Sequence, residues 1–309
     1  MPLVNRSFSD IITFTRSTGG GRFNAQGVYE WLPANQPRID YDPVTGECRG
    51  LLIEEQRTRL NLISAAPTAP QTVTVGASAQ TISFFGSGSV DLTGAHTATL
   101  LGSGPFPARR TYTFTPSAGS LTITPTGDVR MLQVEAGAFA TSPIVGEGAQ
   151  VTRAADIASV NELSPWFNAS EGTLFVEAVR ANNLPAGTAY LAEIGNGTYG
   201  ERIYAALHAS NSNSFVGDWR SGNASPDYFN NTTPKWSPGA PARMALTWGP
   251  SGRAAAASGV IVKTSSSAVI PAVTKVGIGA PIVGAGGYLG GHIRSIRYFP
   301  KRLSNAELQ

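Results

Sequence analysis

Residues 218–236 hold Trp219, Arg220, Asp227, Tyr228, Asn230, Asn231 and Trp236 close together in the chain. Tryptophan and tyrosine rings stack on the C–H faces of sugars, while amides and charged groups satisfy sugar hydroxyls. This set is therefore the candidate glycan-binding group. A second reading stays open, in which the aromatics pin a long surface loop to a sheet. Trp219 and Trp236 separate the two, since a ligand platform leaves their faces exposed and an anchor buries them.

Catalytic patterns are absent. Cleavage of a glycosidic bond needs two carboxylates roughly 5 to 10 Å apart, which on a single strand means acids at alternate positions. Glu171 and Glu177 are six apart, Glu193 and Glu201 stand alone, and the neighbours Glu54 and Glu55 point to opposite faces of an extended chain. His96, His208 and His292 fall in strand-like segments without a nucleophile elbow, and Cys48 sits in a turn, so nucleophilic catalysis is not expected. One cysteine and three scattered histidines give no zinc pairing. The chain is read as a non-enzyme without a cofactor. Asp218 or Asp227 could supply a hard oxygen ligand to a calcium ion, although neither has an acidic neighbour.

The elements that must position these residues read as strands. From about residue 151, segments 172–180, 188–194, 203–208, 214–219, 243–248, 259–263, 273–278 and 291–299 alternate apolar and polar residues between turn-forming loops. Eight strands imply a double or closed sheet, and its loops carry specificity. The last of them alternates His292, Arg294 and Arg297 against Ile293, Ile296 and Tyr298, then stops at Pro300. Ser304 and Glu307 follow at capping-box spacing, predicting a closing helical turn. Residues 66–150 repeat short strands at 72–75, 81–85, 89–92, 98–101, 110–114, 120–124 and 129–134, the pattern of a small β-sandwich. Residues 1–65 offer too few apolar side chains for a core of their own and are expected to pack on something else.

Several motifs carry a resemblance. The ending Gly290 to Leu308 resembles the last strand and closing turn of concanavalin-A-like, or laminin-G-like, jelly rolls. Ile12-Thr13-Phe14-Thr15-Arg16-Ser17, Pro37-Arg38-Ile39-Asp40-Tyr41-Asp42 and the run Gly50 to Leu62 are similar to the N-terminal region of head- and tail-fibre proteins of tailed phages. Gly137-Ala138-Phe139-Ala140-Thr141-Ser142-Pro143-Ile144 with Val151 to Asp156 resembles the bridge such proteins carry before a lectin-like module. The resemblance implies an all-β virion fibre or decoration protein in three parts: an attachment and oligomerisation segment 1–65, a sandwich spacer 66–150 and a laminin-G-like jelly roll 151–309. It further implies attachment to capsid or tail proteins, with Phe14, Arg16, Arg38, Tyr41, Leu51, Leu52, Arg57 and Leu60 as the attachment candidates. A homotrimer, a location in the virion and contact with host-surface glycan during adsorption are expected on the same ground.

Composition bounds the alternatives. The chain has 309 residues, 14% of them charged, and a net charge of +3. Basic residues number seven against seven acids in 1–65, three against four in 66–150 and thirteen against nine in 151–309. That excess is too mild and dispersed for nucleic-acid binding by counterion release. No apolar run approaches the ~20 residues of a spanning helix, and the start does not read as a signal peptide, so synthesis in the host cytoplasm is expected. Two other functions remain beside glycan recognition: a purely structural cement or decoration role, and a polysaccharide depolymerase whose carboxylates come from distant strands.

Overall fold

The computed structural model describes residues 7–182, 184, 186–209, 213–231, 233–284 and 286–309. Residues 1–6 of the expected attachment segment, Thr232 of the aromatic loop and Ala285 of a glycine-rich run lie outside them. Among the described residues the chain is all-β, with one four-residue helix at Phe8–Ile11. It divides into two compact units that interleave in sequence: Met1–Thr15, Arg49–Glu55 and Asp156–Gln309 form the first, and Arg16–Cys48 with Gln56–Ala155 the second.

The first unit is a two-sheet jelly roll. One antiparallel sheet runs in the order Thr13–Thr15, Ile157–Val160, Lys275–Ile278, Thr188–Gly195, Arg202–His208, Ser214–Arg220, Phe229–Asn231. The other runs Val260–Ser265, Gly252–Ala257, Pro241–Gly249, Gly172–Arg180, Gly291–Phe299, Cys48–Ile53. Between them lie Ile194, Ile203, Ala205, Leu207, Phe215 and Trp219 from the first sheet and Leu174, Val176, Leu246 and Trp248 from the second, all essentially inaccessible to solvent. Burial of this much apolar side chain is the main term holding the layers together.

The final strand shows how sequence sets register. Ile293 and Ile296 are three apart and would point to opposite faces of a regular strand. A β-bulge resolves the conflict: Ser295 pairs with Glu177 and Ile293 with Ala178, leaving Arg294 unpaired and exposed. Ile293 and Ile296 then lie opposite buried Ala178 and Val176. Gly50 sits beside the bulge with φ of 107°, and a Cβ there would stand 2.3 Å from the Ile293 carbonyl oxygen, so only glycine fits. After Pro300, Ser304 and Glu307 form the reciprocal bonds of a capping box, with the Ser304 N–H donating to Glu307 Oε2 at 2.7 Å. Where a closing helical turn is expected, the chain makes a hydrogen-bonded turn, with the Glu307 N–H donating to the Ser304 carbonyl at 3.0 Å. Leu303 and Leu308 of that turn pack over Ala245, Ala254 and Ala256.

The second unit contains the expected small sandwich. Its four-stranded sheet runs Ala98–Leu101, Ser89–Gly94, Gly119–Thr126, Gln71–Val75, and its three-stranded sheet Arg109–Phe114, Gln80–Phe85, Arg130–Ala136. Val73, Ile82, Phe84, Leu92, Phe114, Leu121, Ile123, Leu132 and Val134 build its core. Added to it are a hairpin of Gly20–Phe23 with Tyr29–Leu32 and a ribbon of Arg57–Arg59 with Val151–Arg153.

The N-terminal block is therefore not a segment apart. Its strands are shared between the two units, and its attachment candidates are internal. Phe14, Arg16, Arg38, Leu51, Leu52 and Arg57 are buried, and Tyr41 and Leu60 are half-buried. The arginines clasp irregular chain in place of a hydrogen-bonded ladder. Arg16 donates from Nε to the Thr18 carbonyl (3.0 Å), from Nη1 to Gln36 (3.1 Å) and from Nη2 to Pro33 (3.0 Å). Arg38 Nη1 donates to Ser142 Oγ at 2.6 Å, and the Arg57 guanidinium lies 4.8 Å from the centre of the Phe139 ring. The expected bridge, 137–144, is pinned by the fully buried Glu135, which accepts from the Thr141 N–H (2.8 Å), Thr141 Oγ1 (2.8 Å) and Gln133 Nε2 (2.7 Å). Burial pushes the Glu135 pKa up, opposed by these bonds and by Arg57.

Candidate functional site

Residues 218–236 are not one long loop. The strand Ser214–Arg220 runs into a tight turn bridged from Ser221 to Ala224, and the chain returns as the strand Phe229–Asn231. Alternation then sorts the candidate residues between two faces. Trp219 faces inward opposite Ile203, 6.2 Å from the Phe229 ring, and is fully buried. Trp236 is 3% exposed, and its backbone N–H donates to the Asn213 carbonyl at 3.2 Å. Both tryptophans are anchors, and the expected stacking platform is not built from them.

Asp227 is also interior. It accepts from Arg253 Nη1 at 2.6 Å, with Lys263 Nζ 4.0 Å away, stapling the turn to the neighbouring sheet. Asn231 faces the same way and donates to the Val262 carbonyl at 3.2 Å. Three candidates, Arg220, Tyr228 and Asn230, remain outside the inter-sheet core. Arg220 and Asn230 alternate with the inward Trp219, Phe229 and Asn231, and Tyr228 is exposed at 46%. Arg220 Nε donates to Ser225 Oγ at 2.6 Å and lies 3.6 Å from Asp218 Oδ2.

That outward face carries a polar row that sequence spacing did not reveal. Strand pairing puts Glu193 opposite Tyr204 and Tyr204 opposite Asp218, so residues far apart in sequence align across three strands. The next row aligns Tyr190, Ala206 and Val216, and Tyr190 and Tyr204 meet with ring centroids 5.2 Å apart. Arg202 lies between two rings, 4.8 Å from Tyr204 and 5.1 Å from Tyr199, and reaches Tyr190 Oη at 3.3 Å and Glu193 Oε2 at 3.8 Å. The signal that could have found this row is the repeat of a charged or aromatic residue at alternate positions in three successive strands.

Burial pushes the pKa of Glu193 up, and Arg202, the Ile282 N–H and Lys275 oppose the shift. Asp218 is raised for the same reason against Ser225 and Arg220, and burial also raises Tyr190 and Tyr204. Adjacent strands lie about 4.8 Å apart, so Glu193 and Asp218 stand roughly 10 Å apart at their backbones. The fold thus gathers this carboxylate pair from distant strands onto one face, yet both side chains are fully covered. In this conformation a glycosidic oxygen cannot reach them, and they brace the tyrosines and Arg202.

A calcium site does not fit the two proposed ligands. Asp227 is held by Arg253 at 2.6 Å, and Asp218 is fully buried with Arg220 3.6 Å away, so neither presents an open carboxylate to an ion at the rim. Among the described residues no cluster of three or more acidic, histidine or cysteine side chains forms a metal site.

Beside the polar row a surface cleft of about 210 Å³ opens between Thr188, Tyr190, Tyr199, Pro281, Val283, Gly286 and Gly287. Tyr199 is 51% exposed at its edge. The Pro281 to Gly287 loop comes close because it is glycine-rich: a Cβ on Gly284 (φ 90°) would meet Tyr199 Oη at 2.3 Å, and one on Gly287 (φ 73°) the Tyr190 ring at 3.0 Å. The cleft thus offers an exposed tyrosine, a second tyrosine held in place by Arg202, a threonine and closely approaching backbone.

No protein-family model matches the chain, and no curated protein matches its sequence. Among solved structures it is similar to the CBM40 of the Ruminococcus gnavus IT-sialidase, at 16% identity and a TM-score of 0.39 over 46% of this chain and 82% of that one. A Trypanosoma rangeli sialidase matches at 17% identity and 0.35, over 49% of this chain and 25% of that one. The SAP-like pentraxin of Limulus polyphemus matches at 9% identity and 0.34, over 82% and 80%. These likenesses are too loose to assign a function, and the all-β class rests on the strands themselves.

Proposed function

We propose that the jelly-roll unit is a lectin-like module that binds glycan in the cleft between Tyr190, Tyr199 and the Pro281 to Gly287 loop. The observation that carries this reading is the exposed Tyr199 beside a braced Tyr190, over a row of buried charges that pair among themselves. Such a surface gives a sugar ring an aromatic wall and hydroxyl partners without a cost in free charge. Arg220, Tyr228 and Asn230 extend the same reading toward the far edge of that sheet.

The sequence resemblance supports a finer proposal, in which the chain is a phage head or tail fibre or decoration protein that presents this module to the host surface. Attachment to virion proteins and trimer formation belong to that proposal. The buried attachment candidates cannot carry it, so the exposed Ile11, Val28, Trp31, Val44, Leu62 and Ile63 of the N-terminal block are the large apolar side chains available.

The test is a glycan array and a whole-cell binding assay with the full chain beside Tyr199→Ala and Tyr228→Ala. Binding that falls at least tenfold in Tyr199→Ala, with an unchanged circular dichroism spectrum, supports the cleft. A folded chain that binds no glycan and no cell would move the assignment to a structural decoration role.

A further inference from the structure

The chemistry of the cleft wall decides which sugars it can take, an inference that rests on the glycan-binding reading above. Its lining residues are Thr188, Tyr190, Tyr199, Pro281, Val283, Gly286 and Gly287, and none of them carries a formal charge. The nearest cation that packs on a lining side chain, Arg202, lies against the Tyr199 ring and is 6% exposed. It is engaged by Glu193 and by Tyr190 Oη. Lys275 also lies nearby, but it meets the space over Gly197, outside the cleft wall.

We infer that the cleft selects uncharged pyranoses over sugars that carry a carboxylate. A neutral ring can lay its C–H face on Tyr199 and direct hydroxyls to Tyr190 Oη, Thr188 and the loop backbone. A uronate or other acidic sugar seated there would exchange part of the hydration of its carboxylate for aromatic and aliphatic walls, with no cation in contact to replace it. Tyr199 is then the residue that sets the preference. Its position depends on Gly284, where any Cβ would collide with the phenol.

Matched sugars that differ only at C6 test the point. The isotope-labelled full chain would be titrated with methyl glucoside against methyl glucuronide and with methyl galactoside against methyl galacturonide, following amide shifts by NMR. The neutral member of at least one pair is expected to shift the amides of the lining residues Thr188, Tyr190, Tyr199, Gly286 and Gly287 and to bind tenfold or more tightly than its uronide. Tyr199→Ala should abolish those shifts, and Tyr199→Phe should retain most of them, because the ring supplies the contact.

A uronide that binds as well as or better than its neutral partner at the same amides would overturn the selectivity while leaving the cleft a glycan site. Absence of shifts at these amides with every sugar would overturn both the selectivity and the cleft as the binding site. Shifts confined to residues around Tyr228 would place binding elsewhere on the sheet and refute the inference for this cleft.

Discussion

Asp227→Asn is the sharpest test of the reading that residues 221–228 are stapled rather than free for ligand. Arg253 is 1% exposed, and its one short bond is the 2.6 Å contact from Nη1 to Asp227 Oδ2. The same nitrogen makes a long 3.4 Å contact with the Trp219 carbonyl, and among the described residues Nε and Nη2 have no hydrogen-bond partner. Removing the aspartate charge leaves a guanidinium buried without its counter-ion, a change that costs about 3 to 5 kcal/mol. For domains of about 150 to 250 residues, 1 kcal/mol corresponds to roughly 2 to 4 °C, so the melting temperature of the jelly-roll unit should fall by about 6 to 20 °C. Replacing both partners, Asp227→Leu with Arg253→Met, should recover most of that loss because no charge remains buried. Differential scanning calorimetry of the three proteins reads both numbers. An Asp227→Asn chain that melts with the wild type, or a double variant as unstable as the single one, would refute the staple and return Asp227 to the candidates for ligand contact.

Two further outcomes follow from the same physics. Glu135, Glu193 and Asp218 all have folded-state pKa values raised by burial, so each favours folding when protonated. Their contribution is fully present below the ordinary value of 4.5 for Glu135 and is lost as pH rises through the raised value, so stability should fall from mildly acidic pH toward neutral. Glu135→Gln should flatten that fall in thermal melts across pH; an unchanged slope would show that another group carries it. Gly50→Ala forces a Cβ to 2.3 Å from a backbone oxygen at a φ of 107°. It should cost about 2 to 4 kcal/mol, read as a lowered urea midpoint, whereas a wild-type midpoint would mean that the Arg294 bulge relaxes freely.

Much of the strand pattern was legible because period-two alternation is strong where one face is buried. The segments Ala98–Leu101, Gly172–Arg180 and Gly291–Phe299 begin and end where their residues predict. The strand Gly252–Ala257 was missed because Gly-Arg-Ala-Ala-Ala-Ala reads locally as a helix former. Its alanines instead leave room for Leu303 and Leu308 of the chain end, a demand that comes from tertiary packing. The short strands Val151–Arg153, Ile157–Val160 and Phe229–Asn231 are too brief to show a period.

The division of the chain was less legible, since strands of the N-terminal block serve both units and nothing local says so. For the site, composition pointed to a stretch rich in ring and amide side chains but could not tell inward from outward. One position of phase decides that, and it put Trp219 and Asn231 inside and left Arg220 and Asn230 outside. The row Glu193, Tyr204 and Asp218 depends on pairing among three separate strands, so its members looked isolated in sequence.

The most direct measurement of the central claim is a crystal structure of the full chain with the oligosaccharide that a glycan array selects. A sugar ring is expected against Tyr199, between Tyr190 and the Gly286–Gly287 backbone, with Trp219 and Trp236 still buried. A ring seated on an exposed Trp219 or Trp236, or anywhere away from this cleft, would contradict it.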